Sequence, residues 1–116
     1  IRIEPGAEVN CEWRNETHPY LTGPSLVFRE GALLARGQKI ADLPVSQWVR
    51  VEMRASLGGQ ADGKWDLKLT LPDGEVRSLP GLPCDPKWKT TRWVGFCSLA
   101  ANASAFYLDD VELENK

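Results

Sequence analysis

Hydrophobic and polar side chains alternate along several stretches of the chain. In residues 64–71 every second position is apolar, namely Trp65, Leu67, Leu69 and Leu71. A period of two places one set of side chains on a core and the other in water, as in a half-buried β-strand. Residues 48–55 alternate in the same way. We therefore predict that Trp65 is buried, whereas the charged residues around it face solvent: Lys64, Asp66 and Lys68.

Glycine and proline divide the chain into short segments and leave few windows long enough for a helix. Pro72-Asp73-Gly74 is a typical turn, in which proline fixes φ and glycine accepts a positive φ. Besides the two stretches above, strands are predicted at residues 7–13, 24–29, 32–35, 76–79, 91–99 and 104–113. A parity switch in the last one predicts a bulge at Asp109-Asp110. Roughly eight or nine short antiparallel strands predict an all-β sandwich or barrel.

Length and charge exclude several classes of protein. The chain has 116 residues, which predicts a single domain spanning 1–116. Its formal charge is −2 and its pI about 5.4, so we expect no nucleic-acid partner. The longest apolar run, Ala32–Ala35, has 4 residues, and a membrane span requires about 20, so no membrane partner is expected. Because the chain starts at Ile1 without an apolar leader, we interpret it as a mature or excised domain.

The three cysteines, Cys11, Cys84 and Cys97, cannot all pair within the chain. They are too few for a disulfide scaffold, and their spacing does not match a zinc site. Cys84 and Cys97 are the one pair close enough in sequence for a local bridge. The alternative is three half-buried thiols that act as small hydrophobic side chains.

Several short motifs follow one another from residue 43 onward: Leu43-Pro44, Gln47-Trp48-Val49-Arg50, Gly63-Lys64-Trp65-Asp66, Pro72-Asp73-Gly74, Trp93-Val94-Gly95-Phe96 and Phe106-Tyr107-Leu108-Asp109-Asp110. In this order they resemble the concanavalin A-like lectin/glucanase superfamily, in its laminin G-like jelly-roll branch. The resemblance implies an antiparallel two-sheet β-sandwich, a secreted (extracellular or periplasmic) location and carbohydrate recognition. Members are often longer, so it also implies that an N-terminal strand is missing or supplied by a neighbouring domain.

A possible catalytic pair lies near the start of the chain. Glu8, Asn10 and Glu12 alternate and would share one face of a strand. The spacing resembles the glucanase motif of the same superfamily, in which one glutamate is the nucleophile and the other the acid/base. On a strand, residues i and i+4 lie roughly 13 Å apart at Cα, whereas a retaining pair needs carboxyl groups about 5–5.5 Å apart. Asn10 also lacks the charge of the family's central aspartate.

Aromatic residues on polar loops are the candidates for ligand binding, because flat rings stack on the apolar faces of sugars. Trp48, Trp65, Trp93 and Phe106 lie in strand motifs and are predicted to be core. Trp88 lies in a polar loop without periodicity, so we predict that it is the exposed centre of the site. The predicted site also contains Lys87, Lys89 and Arg92, with Tyr20 and Trp13 from a second polar loop. The cations would equally suit an acidic sugar.

The expected function is a non-catalytic carbohydrate-binding or accessory module of a secreted polysaccharide-active protein. Its partners would be a poly- or oligosaccharide and a catalytic or β-helix domain of the parent protein. The alternatives are a glycoside hydrolase fragment that uses Glu8 and Glu12, and a structural domain that packs on its parent enzyme. No cofactor is expected. Calcium at Asp109 and Asp110 is an alternative, because some laminin G-like domains use it, but no close-spaced ligand loop supports it.

Overall fold

The computed structural model describes residues 1–115 and is all-β, with antiparallel pairing in every ladder. The strands are β1 (Arg2–Ile3), β2 (Glu8–Arg14), β3 (Thr22–Arg29), β4 (Ala32–Ala35), β5 (Gln38–Ala41), β6 (Arg50–Ala55), β7 (Lys64–Thr70), β8 (Val76–Pro83), β9 (Trp93–Ser98) and β10 (Phe106–Tyr107). The described residues contain one helical element, a 3₁₀ turn at Gly58–Gln60.

The strands form three hydrogen-bonded sheets. One has the order β5-β4-β3-β2-β9, a second β6-β7-β8, and a third pairs β1 with β10. Ile1 and Val49 exchange backbone hydrogen bonds of 2.9 Å, so β1 also joins the segment that precedes β6. The three-stranded sheet is thereby continued by β1 and β10.

One hydrophobic core joins these sheets. It takes Val9 and Cys11 from β2, Phe28 from β3, and Leu67 and Leu69 from β7, all at most 2% exposed. Two layers of antiparallel strands around a shared core are compatible with a β-sandwich. The all-β expectation is therefore confirmed.

The register predicted for β7 is confirmed. Trp65 is 2% exposed, Leu67 and Leu69 are buried beside it, and the charged residues between them are exposed: Lys64, Asp66 and Lys68. β7 pairs with β6 on one side and with β8 on the other, so its polar side chains have only one face on which to reach water.

The predicted closing strand is too long. Residues 104–113 were expected to be extended and paired, but β10 ends at Tyr107. Asp110 adopts a positive φ of 51°, so the chain turns where the bulge was predicted. Beyond it Val111 and Leu113 are 69% and 73% exposed. Two short strands, β1 and β5, were not predicted, because neither is long enough to show a period.

Two tryptophans expected in the core are exposed instead. Trp48 is 46% exposed and Trp93 is 39% exposed, whereas Phe106 is partly buried against the core. Trp48 shares its parity with the exposed Arg50 and Glu52 of β6, and Trp93 pairs with Arg14, whose side chain lies on the outer face of β2. The three cysteines are free: Cys11 and Cys84 are buried and Cys97 is half-buried. Cys84 follows β8 and Cys97 lies on β9, in different sheets, so the local bridge is absent.

Candidate functional site

The outer face of β2 carries a row of polar side chains. Val9 and Cys11 point into the core, so the alternating residues between and beyond them point outward. These are Glu8, Asn10, Glu12 and Arg14, all half-buried. Glu8, Asn10 and Glu12 therefore share one face, as predicted, and Arg14 continues the same row.

Hydrogen bonds along the strand link three members of this row. Asn10 Nδ2 donates to Glu12 Oε1 at 2.8 Å, and Arg14 Nε donates to Glu12 Oε2 at 2.7 Å. The hydrogen bond and charge of Glu12 raise the pKa of Arg14 above its ordinary value. Both oxygens of Glu12 are thus engaged, and the guanidinium of Arg14 is held in place along the strand.

The guanidinium of Arg14 lies over two exposed aromatic rings. Its Cζ is 4.3 Å from the ring centroid of Tyr20 and 4.1 Å from that of Trp93. Trp93 is the direct cross-strand partner of Arg14, and Tyr20 belongs to the loop between β2 and β3. Tyr20 remains 45% exposed and Trp93 39% exposed. We call Asn10, Glu12, Arg14, Tyr20 and Trp93 the aromatic face.

Gly95 makes room for the indole of Trp93. The two residues are two positions apart on β9 and point to the same side of the sheet. A Cβ at Gly95 would overlap the six-membered ring of Trp93. Any side chain at position 95 would therefore push the indole away from Arg14.

Trp88, the predicted centre of the binding site, is a core residue, and its expected exposure is wrong. It is 1% exposed, and a Cβ at Gly23 would overlap its indole. Its ring centroid lies 6.3 Å from that of Trp13, whose side chain also packs against the core. The loop around Trp88 is polar in sequence but folds over the core, so Trp88 presents no ring to solvent, and Trp13 is half-buried beside it.

The other predicted site residues are dispersed around the aromatic face. Tyr20 is part of it, and the backbone N–H of Arg92 donates to the carbonyl of Arg14 at 2.8 Å. Lys87 and Lys89 are exposed, and Lys89 Nζ donates to the carbonyl of Ala61 at 3.2 Å. The structure therefore brings Tyr20 and Arg92 to the aromatic face, and it directs the ammonium of Lys89 to the loop before β7.

An open groove of about 500 Å³ adjoins the aromatic face. Tyr20 belongs to both features and forms one wall of the groove. The other walls come from the start of β3, the turn between β4 and β5, and the segment at the end of β8. We call this feature the Tyr20 groove; its lining includes Tyr20, Thr22, Ser25, Arg36, Cys84 and Asp85.

The pair named in the glycoside hydrolase alternative lies on β2. Glu8 and Glu12 lie on the same face, but both oxygens of Glu12 already accept hydrogen bonds from its neighbours on β2. Asp109 and Asp110 are exposed after β10, where Asp109 Oδ1 accepts from the N–H of Asp110. Within residues 1–115, the structure contains no group of three or more His, Cys, Asp or Glu side chains able to hold a metal ion. Nor does this part of the chain include a helix with the length and apolar character of a membrane span.

Comparison with protein-family models, with curated proteins and with solved structures found no match.

Two residues of the aromatic face, Arg14 and Trp93, were missed in the sequence analysis, although each carries a signal. Arg14 continues the alternation of Glu8, Asn10 and Glu12 by one further step. Trp93 is followed at i+2 by Gly95, and on a strand this spacing leaves space for a large ring on the same face.

Proposed function

We propose that the chain is a non-catalytic carbohydrate-binding module, and that it binds sugar through the aromatic face rather than through Trp88. The observation that carries this proposal is the position of Arg14 over the exposed rings of Tyr20 and Trp93. Carbohydrate sites combine flat aromatic surfaces for the C–H faces of sugars with polar groups for their hydroxyls. The aromatic face has both within one patch.

The polar side chains of the aromatic face supply both hydrogen-bond donors and hydrogen-bond acceptors. The guanidinium of Arg14 has five N–H donors, and among residues 1–115 only its Nε–H is used, by Glu12. Each carboxylate oxygen of Glu12 has accepted one hydrogen bond and retains further acceptor capacity. Sugar hydroxyls both donate and accept, so they can pair with these two side chains while a ring stacks on an aromatic residue.

The aromatic face is already ordered before a ligand arrives. Cation–π contacts hold both rings to Arg14, and Arg14 is held by Glu12. Association loses affinity when side chains must be immobilised on binding, by about 0.5–1.5 kcal/mol for each flexible side chain. Preorganisation of this kind favours a binding role for the exposed rings.

The proposed family is the concanavalin A-like jelly roll, in a secreted polysaccharide-active protein. Support comes from the ordered motifs between residue 43 and the end of the chain, and from two antiparallel layers around a shared core.

The test is affinity electrophoresis of the domain against a panel of soluble polysaccharides, followed by calorimetric titration with the best ligand. Trp93→Ala should weaken binding roughly tenfold to a hundredfold, because one stacked ring at a hot spot is worth about 1–3 kcal/mol. Gly95→Ala should have a similar effect, since its Cβ displaces the indole of Trp93 without removing it. Trp48→Ala is the control, because Trp48 is 46% exposed and lies before β6, on another sheet.

The outcomes distinguish the candidate functions. Equal affinity of the wild type and Trp93→Ala, or an equal loss with Trp48→Ala, would overturn the aromatic face as the site. Release of reducing sugar is measured in parallel, and we expect none. Hydrolysis that is lost in Glu8→Gln or Glu12→Gln would instead support the glycoside hydrolase alternative.

A further inference from the structure

The Tyr20 groove contains a cation in an unusual backbone position. β4 and β5 are joined by a tight turn, in which Ala35 pairs with Gln38 and the two residues between them are Arg36 and Gly37. Both have positive φ, 51° at Arg36 and 77° at Gly37. A two-residue hairpin turn of this kind favours Asn or Gly at both central positions. An arginine at such a position costs more conformational free energy than asparagine or glycine. The turn itself therefore does not explain the arginine, whereas a role of its side chain would.

Arg36 is also free of acidic partners. It is exposed and forms none of the ion pairs found within residues 1–115. By contrast, Arg14 on the aromatic face is paired with Glu12. The guanidinium of Arg36 therefore keeps its full charge available in a groove that residues 83–86 also line.

The lining of the groove also includes an acceptor for hydroxyl groups. Asp85 lines the groove, and its Oδ1 accepts the backbone N–H of Lys87 at 2.8 Å. Its other oxygen has no protein donor among the described hydrogen bonds. Since Asp85 and Arg36 are not ion-paired with each other, the groove offers a separate anionic acceptor and a separate cationic donor.

We propose that the Tyr20 groove binds an acidic sugar residue of the glycan, whose anionic group pairs with Arg36 and whose hydroxyls donate to Asp85. This inference rests on the proposed function, because Tyr20 links the groove to the aromatic face and would let one oligosaccharide occupy both. The anionic group is a carboxylate or a sulfate ester. Arginine recognises either through two parallel hydrogen bonds.

The experiment is calorimetric titration of the full domain with oligogalacturonates and with the same oligomers after reduction of their carboxyl groups, which makes them neutral. Sulfated oligosaccharides form a third arm. The acidic oligomer should bind at least about tenfold more tightly than its neutral counterpart, and Arg36→Gln should remove most of this preference. Arg36→Lys should retain part of it, and Arg36→Asn should remove it while easing the turn. A preference for the sulfated arm over the carboxylate arm would identify a sulfate ester as the anionic group.

The control is Arg54→Gln, which removes an exposed arginine from β6, on the other sheet. Loss of preference with Arg36→Gln and not with Arg54→Gln supports the proposal. Equal binding of charged and neutral oligomers, or an equal effect of both variants, overturns it while the carbohydrate-binding function stands. If no member of any arm binds, and Trp93→Ala matches the wild type on the whole panel, the proposed function itself fails.

Discussion

Replacement of Trp88 by alanine tests the reassignment of this residue from the binding site to the core. Trp88 is 1% exposed and is the largest fully buried side chain of the described residues. It packs against Gly23 at the start of β3 and against Trp13 at the end of β2. Its loop is fixed by backbone bonds, including one from Gly58 N–H to the carbonyl of Lys89 at 2.7 Å. A cavity at position 88 would therefore not be filled by movement of a free loop.

The expected loss of stability is large. A buried Trp→Ala substitution typically costs about 3–5 kcal/mol. Part of this is offset, because Nε1 of Trp88 is buried without a hydrogen-bond partner within residues 1–115, and an orphaned donor costs about 1–3 kcal/mol. We expect Trp88→Ala to lower the free energy of unfolding by about 3 kcal/mol and Tm by roughly 10–15 °C. Trp88→Phe removes the orphaned donor and keeps a ring, so its cost should be about half as large.

The assay is urea unfolding of both variants, combined with a double-mutant cycle on Gly23. Gly23→Ala alone should destabilise the domain by about 1–3 kcal/mol, because its methyl group overlaps the indole. In the Trp88→Ala background the same methyl group enters the cavity and should cost much less. The coupling between positions 23 and 88 should therefore reach about 1 kcal/mol or more, with the double variant more stable than additivity predicts.

Two results would refute this reasoning. One is a Trp88→Ala domain with unchanged stability, which would mean that the ring is not in the core. The other is strict additivity with Gly23→Ala, which would place the indole elsewhere. In either case glycan affinity must be remeasured, since a Trp88 on the surface would restore the site expected from the sequence.

The remaining predictions concern the sheet register, acid stability and thiol reactivity. Trp65→Ala should lower the free energy of unfolding in urea by about 3–5 kcal/mol and Lys68→Ala by less than about 0.5 kcal/mol. Equal losses would contradict the register assigned to β7. Hydrogen bonds from Ser46 and from Arg2 lower the pKa of Glu4 below its ordinary value of 4.5. A lowered folded pKa contributes stability above the unfolded value that is lost as pH falls, so Tm should decline below about pH 4.5 and less so in Ser46→Ala. Burial raises the pKa of Cys11 to about 12, so iodoacetamide at pH 8 should label Cys97 well before Cys11, as read by mass spectrometry, and equal rates would contradict the burial of Cys11.

The strands that the sequence predicts well are those with one face in water. β7 and β6 alternate cleanly because their inner faces meet the core and their outer faces meet solvent, so burial imposes a period of two. β4 is predicted to the residue from a short apolar run between two glycines. In contrast, β1 has only two residues and is positioned by backbone pairing with distant segments. A pattern of two residues has no period from which it could be predicted.

The proposed binding face was predicted less well, because loop polarity is a poor guide to where one side chain in a loop points. The residues around Trp88 are polar, and that polarity was correctly interpreted as a loop. Polar residues in a loop can satisfy their hydrogen bonds locally, as Asp85 does with the N–H of Lys87, while one large side chain turns inward. Local composition does not distinguish an exposed tryptophan from one that covers the end of a core.

Trp88 and Trp93 each lie against a glycine, but the two glycines are placed differently relative to the ring. Trp88 reaches across to Gly23, which is buried on β3 and distant in sequence, so only the fold brings the two together. Trp93 covers Gly95 on its own strand and its own face, so that pairing is visible in the sequence. A ring that covers a glycine two positions along an edge strand keeps one side towards solvent. It is this local arrangement, beside Arg14, that leaves Trp93 available to a ligand while Trp88 is enclosed.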